Sequence, residues 1–295
     1  MKDLSRRYGP RVVLDRVNFV VPAGSVYGFL GPNGSGKTTA MRCMLGLIRA
    51  DSGDVAFFGE TDPVRRLAKV GALVETPRFY NWLSGRANLE IACAYAGFDP
   101  RATVDEALDR VELRPRADDK VIGYSLGMQQ RLGIAQALLG KPRVILLDEP
   151  TNGLDPQGMK LVRDVLRRLA QQDGMTVFIS SHLLSEVQAI ADHVGILQKG
   201  RLLAEGSVRE LLAGGESAVE IGGPEPERLH AALERLPGVR VVGTAEGGRF
   251  VAEGMEAAAL NAALQAQGVP VNALLPRARS LEDLFLSLTG TGGNL

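Results

Sequence analysis

The chain has 295 residues, 45% of them hydrophobic, enough for one large or two modest domains with full cores. Its 34 basic and 34 acidic residues cancel, so no basic surplus points to nucleic acid, and no apolar run reaches the about 18 residues of a membrane span. Met1-Lys2-Asp3-Leu4 does not read as a signal peptide, and Cys43 and Cys93, which lack metal spacing, read as reduced core residues. Leu4 to Gly9 leads into Val12-Val13-Leu14, and any strand running into Tyr8 is expected to be short. The alternation Val17-Asn18-Phe19-Val20-Val21 predicts a strand, and Pro22 to Ser25 a turn. Ser25 to Leu30 reads as a buried strand and Thr39 to Leu45 as a helix. Asp54 to Gly59 reads as strand and turn, and Val70 to Val74 as a strand ending on the carboxylate of Glu75.

Phe79, Tyr80 and Trp82 then crowd three aromatics into four positions. Residues 84–139 read as helical, with apolar stripes at Leu89, Ile91, Ala92 and Tyr95 and at Val104, Ala107, Leu108 and Val111. Val144 to Leu147 is the continuous apolar run of a strand buried in a parallel sheet. A long helix is expected after Asp155-Pro156, with proline in its first turn, then a buried strand at Thr176 to Ser180 and a helix from Leu183 to Ala191. A hairpin follows, Val194 to Leu197 and Arg201 to Ala204 around Lys199-Gly200. Strands alternating with helices imply an α/β core with a largely parallel sheet. Composition shifts at Ala213-Gly214-Gly215-Glu216, which places a domain boundary there: 1–213, then 214–295. Beyond it come a strand at 218–221, helix 226–236, strands 239–243 and 249–252, helix 256–266 and a strand at 269–274, the β-α-β-β-α-β order of a ferredoxin-like α+β domain. A helix capped by Ser280 with apolar residues at 281, 284, 285 and 288 follows, and a loose tail from Thr289 to Leu295.

The chemistry gathers at a few places. Gly31-Pro32-Asn33-Gly34-Ser35-Gly36-Lys37-Thr38-Thr39 fits G-x-x-x-x-G-K-[ST], with a strand before it and a helix after it. Glycines let backbone N–H groups wrap phosphate oxygens, and the helix aims its positive end at the same anion. Lys37 can reach β- and γ-phosphates, and the Thr38 hydroxyl can hold Mg²⁺. Far downstream, Asp148 ends the apolar strand and can hold Mg²⁺ directly or through water. Glu149 follows it, a carboxylate suited to polarise an attacking water. A solvated turn is the plain alternative for two acids at a strand end. Ser125, the Gly127 N–H and the helix start at Tyr124-Ser125-Leu126-Gly127-Met128-Gln129-Gln130-Arg131 make a second anion site ahead of Asp148.

The order of these pieces, with Asn152-Gly153-Leu154-Asp155-Pro156 and Ser180-Ser181-His182, resembles the ATPase subunit of an ABC transporter over residues 1 to about 212. The resemblance implies a P-loop ABC ATPase fold with a helical insertion over about 79–139. It implies that Tyr8 stacks on adenine and that Gly31, Asn33, Gly34, Ser35, Gly36, Lys37, Thr38 and Thr39 bind the phosphates. Ser125, Gly127 and Gln129 then bind the γ-phosphate of ATP held by a second subunit, and Asp155 belongs to a loop that crosses the dimer interface. The resemblance also implies that His182 senses the γ-phosphate; taken as a lone histidine, without the resemblance, it reads first as a capping residue at a helix start. Glu75 joins Thr38 and Asp148 near Mg²⁺. The chain departs from the family pattern twice: Leu126 and Met128 stand inside its LSGGQ segment, and Glu75 stands where glutamine is common. Glu at that position, and the ending Ser280-Leu281-Glu282-Asp283-Leu284-Phe285, resemble the bacitracin- and drug-exporter subgroup, which carries a C-terminal accessory domain. The function so implied is an ATP-hydrolysing motor, with ATP and Mg²⁺, that dimerises on ATP and works at the cytoplasmic face of the cell membrane with separate permease subunits and without nucleic acid. A soluble ABC ATPase acting on ribosomes or DNA is the alternative, and a non-hydrolysing regulatory module a third reading, against which Lys37, Asp148, Glu149 and His182 stand. For the three aromatics two readings remain: the insertion's own core, or a groove for a helix of the permease.

Overall fold

The computed structural model describes residues 1–213, 218–245, 247–277 and 280–289. It divides into two compact units, Met1–Val208 and Arg209–Gly293. The expected boundary stretch at 214–217 and the tail from 290 lie outside the described residues.

In the first unit, β1 (Lys2–Tyr8) pairs antiparallel with β2 (Arg11–Val17). Then come β3 (Val26–Leu30), α1 (Lys37–Met44), β4 (Ser52–Asp54), α2 (Pro63–Leu67) and β5 (Val70–Leu73). The helical insertion carries α3 (Gly85–Ala96), α4 (Pro100–Arg110) and α5 (Leu126–Leu138). The chain returns through β6 (Val144–Asp148), α6 (Pro156–Gln171), β7 (Thr176–Ser181), α7 (Leu184–Gln188), β8 (His193–Gln198) and β9 (Arg201–Ser207), and α8 (Val208–Ala213) leads into the second unit. Six strands form one sheet in the order β5-β6-β7-β3-β8-β9, parallel except for β9. Every residue of β3, β6 and β7 is buried, as continuous apolar strands covered on both faces must be. The sheet β2-β1-β4 joins it through stacked rings: Phe19 lies 5.4 Å from Tyr27 and 5.7 Å from Phe178, centroid to centroid.

The second unit holds β10 (Ala218–Gly222), α9 (Pro226–Arg235), β11 (Arg240–Ala245), β12 (Arg249–Glu253), α10 (Ala257–Ala266), β13 (Ala273–Arg277) and α11 (Leu281–Thr289). Its strands run antiparallel in the order β11-β12-β10-β13, the ferredoxin-like order, and Leu229, Leu233, Leu260 and Leu264 of α9 and α10 close one core with Val219 and Ile221.

Local expectations needed correction where partners, not pattern, set the ends. β1 is not short: its seven residues pair on both sides, with β2 and β4. The alternation at residues 18–21 survives as burial, Phe19 in and Val20 out, but β2 stops at Val17 because the next N–H groups bond Met1 O and the Glu205 carboxylate rather than a ladder. Residues 55–59 are not a strand beyond one bridge, Phe57 to Glu60, across a tight turn at Phe58 and Gly59, both with positive φ. α7 ends at Gln188. The last strand starts at Ala273, not 269, because Val269 bonds back to Leu264 O and packs into the core below α10. Tyr95 is 84% exposed: at about 100° per residue it points well away from Leu89, whose face continues through Cys93.

Candidate active site

The loop after β3 is shaped by what surrounds it. At Gly36, φ is 114° and a Cβ would lie 2.8 Å from the Val13 carbonyl oxygen, so β2 presses directly on the loop and only glycine fits. At Gly31 a Cβ would lie 2.2 Å from Leu197 O. The loop is tied to the core by Gly31 N–H on Ser181 O and Gly200 N–H on Ser35 O. The Ser35 hydroxyl is buried with no partner among the described residues, a polar atom that an anion in the loop can satisfy. Lys37 is 5% exposed and donates to Gly31 O at 2.7 Å. A buried ammonium folded onto loop carbonyls is a cation held ready for phosphate.

β6 and β7 bring the acidic residues to the same place. Parallel register sets Asp148 beside Ser180, whose hydroxyl donates to Asp148 Oδ1. The chain then turns through Glu149, a non-glycine residue at φ 49°, pinned by its N–H on Ser180 O and Oγ. That turn swings the Glu149 carboxylate between Lys37 and His182: Oε1 lies 3.4 Å from Lys37 Nζ and Oε2 lies 2.8 Å from His182 Nδ1. Tyr8, Arg11, Asn33, Lys37, Thr38 and Glu149 line one cleft of about 480 Å³. Tyr8 is half exposed, with the Arg6 guanidinium 4.6 Å from its ring centroid and Arg6 in turn held by Asp51.

Other residues singled out from sequence stand apart from this cleft. Ser125 caps α5, accepting from Met128 N–H, and Asp155 caps α6, accepting from Gly158 N–H at 2.8 Å. The two helix starts touch: a Cβ on Gly127 would sit 3.6 Å from Gly158 Cα. Gln129 donates to Tyr124 O. Glu75 follows β5 at φ 75°, two-thirds exposed and ion-paired with Arg42 of α1, and it is not among the cleft-lining side chains. Sequence reasoning missed two features. It treated Lys37 only as a phosphate ligand, although it also pairs with Glu149, and it overlooked Ser180 as the residue that positions both acids. The Ser180-Ser181-His182 run at a strand end was the available signal.

Residues 14–152 match the family model described as ABC transporter. The bacitracin transport ATP-binding protein of Bacillus licheniformis is 38% identical over 98% of this chain and 96% of its own length. The chain belongs to the ABC transporter family. It is the ATPase subunit of such a transporter. The lantibiotic transport ATP-binding protein of Streptococcus pyogenes is 40% identical to this ABC ATPase over 70% of the chain and 89% of its own length. A dimeric ATP-binding cassette solved in a post-hydrolysis state with ADP and Pi superposes with a TM-score of 0.61 at 25% identity, covering 70% of this chain and 97% of that one. The bacitracin and lantibiotic relatives are named for transport, which sets the ribosome and DNA reading aside.

Proposed function

We propose that two copies of this chain close around two ATP molecules and drive export of a peptide antibiotic, or of a drug or lipid handled in the same way, through separate permease subunits at the cytoplasmic face of the membrane. The carrying observation is the division of labour in the catalytic unit. One cleft gathers Tyr8, the loop residues Asn33, Gly34, Gly36, Lys37, Thr38 and Thr39, and Glu149, whereas Ser125, Gly127, Gln129 and Asp155 lie at helix starts outside it. Such helix starts can serve only a nucleotide held by another copy, and the dimeric relative supports that arrangement.

Within one cleft, the loop N–H groups, Ser35 and Lys37 hold the phosphates. Thr38 and Asp148 offer a hydroxyl and a carboxylate, hard oxygen donors that suit Mg²⁺. Glu149 takes the proton of the attacking water, and His182 fixes the carboxylate's orientation. Phosphoryl transfer of this kind needs positioning and charge more than covalent chemistry. Lys37 must exchange Glu149 for phosphate when ATP enters, which frees the base as the substrate arrives. Glu75 joins the metal only when it leaves Arg42.

The aromatic cluster supports the permease. Trp82 is 67% exposed and meets Tyr80 edge to face, over a hollow lined by Leu83, Ile91, Ala94 and Tyr95, so these rings do not fill the insertion's core. Asn88 holds the Tyr80 backbone from both sides and keeps the rings presented. No helix among the described residues is long and apolar enough to cross a membrane. The C-terminal residues 214–295 serve as the accessory domain. The test is co-expression with a candidate permease: the chain should co-purify with it, and ATP turnover should rise with bacitracin-like peptide. Turnover indifferent to the permease, or purification with ribosomes, overturns the reading.

A further inference from the structure

Two cations line the nucleotide cleft, and they differ. Lys37 is buried and engaged, between loop carbonyls and Glu149. Arg11 is exposed, at the start of β2, and makes no ion pair or side-chain hydrogen bond among the described residues. An unpaired guanidinium is ordinary on an open surface; inside a cleft that takes a polyanion it is a ligand in waiting.

Its position is set from two directions. Tyr8 and Arg11 are cross-strand partners across the Gly9-Pro10 turn, so their side chains leave the hairpin on the same side. Two residues along β2, Val13 lines the same cleft and its carbonyl presses on Gly36 of the phosphate loop. Arg11 therefore stands between the ring expected to hold the base and the loop that holds the β- and γ-phosphates. The ladder between β1 and β2 shifts register between Leu4 and Arg6 and again between Arg6 and Arg7, and irregularities of this kind re-aim side chains beside active sites. The charges point the same way. Glu149 offsets Lys37 in the resting cleft, which leaves Arg11 as the uncompensated positive group facing an incoming nucleotide.

We propose that Arg11 is a nucleotide-binding residue whose guanidinium holds the α-phosphate of the nucleotide stacked on Tyr8. The inference rests on reading the cleft as the ATP site, and the test separates the two. Displacement of a fluorescent ADP analogue from the full chain, in the absence of metal, gives affinities for ADP, AMP and adenosine. Arg11→Ala should weaken ADP and AMP alike by about tenfold, the scale of one exposed charge-assisted contact, and leave adenosine unchanged. Arg11→Lys should recover part of the loss, because it keeps the charge but not the fork. Lys37→Ala should penalise ADP far more than AMP, which marks the two cations as readers of different phosphates. Arg11→Gln repeats the measurement with the side-chain stem retained, should the alanine disturb the hairpin. Unchanged ADP affinity in both Arg11 variants, or an equal loss for adenosine, overturns the assignment. Wild-type chain that binds neither ADP nor AMP removes the reading of the cleft itself and this inference with it.

Discussion

The cleft at Lys37 and the paired helix starts at Ser125 and Asp155, which we propose as two anion sites, are finished to different degrees. In the cleft, side chains from distant parts of the chain satisfy one another: Lys37 with Glu149, Glu149 with His182, Ser180 with Asp148. At the helix starts, Ser125 and Asp155 spend their oxygens on the N–H groups of their own first turns. The first site holds its charges in balance until a ligand displaces one of them. The second has local order, and on the proposed reading the ligand it completes arrives already held by another copy. On the reading proposed above, an ATPase built this way needs a second copy to complete each site.

The sharpest way to break that contrast is Glu149→Gln. Removing the general base should slow hydrolysis by about 10²- to 10⁴-fold. The same change releases Lys37 from a competing carboxylate, so ATP affinity should hold or rise severalfold, and the variant should accumulate as an ATP-bound dimer in size-exclusion chromatography. Hydrolysis at the wild-type rate would assign the proton to another group. Lys37→Ala comes next. The loop loses its buried full charge and Glu149 is left facing the phosphates, so ATP affinity measured by calorimetry should fall by about 10²-fold, on the scale of a buried charge-assisted contact. Unchanged affinity would mean the loop does not bind phosphate through Lys37.

How much of this was legible follows from how local each feature is. The phosphate loop, the apolar strand ending in Asp148, the cap at Ser125 and the proline-started helix after Asp155 are encoded within a few consecutive residues, and each forms where the pattern placed it. The stripe Val104, Ala107, Leu108 and Val111 is buried throughout. The Lys37–Glu149–His182 contact was not legible, because it depends on the register of β3, β6 and β7 across a parallel sheet, and no local spacing encodes register between strands so far apart in sequence. Strand ends failed for the same reason: β2 stops where its pairing with β1 stops, not where its alternation does. Arg11 was invisible as one arginine among many until its cross-strand partner and its lack of an ion pair were seen together.

The helix starts offer a milder test. Ser125→Ala removes one cap, worth about 1 kcal/mol, and should lower the melting temperature of the isolated chain by a few degrees. Binding of ADP by the monomer should be unaffected, because Ser125 does not line its own cleft. ATP-dependent dimerisation and hydrolysis should fall by about tenfold, the scale of one lost hydrogen bond to a charged group. A comparable loss of monomer ADP binding would place Ser125 in the cleft of its own chain and collapse the contrast between the two sites.

The smallest effect concerns Glu75, which belongs to neither site in this structure. Its carboxylate sits with Arg42 on the outer side of the helix that carries the phosphate loop, and both side chains are open to water, so as an ion pair it contributes between nothing and about 1 kcal/mol. A contact that weak is easily exchanged. If nucleotide and Mg²⁺ draw Glu75 inward, the metal and Arg42 compete for one carboxylate, and the two partners' variants must act in opposite directions. Arg42→Ala should then lower the Mg²⁺ concentration for half-maximal ATPase activity by a few-fold, the scale of an exposed pair. Glu75→Gln, which keeps an acceptor but loses the charge, should raise it by a similar factor while retaining most of the maximal rate. A purely local pair predicts no such opposition, since either change would remove the same exposed contact and leave the Mg²⁺ curves superimposed. Only the crossing of the two shifts carries Glu75 from the surface to the metal.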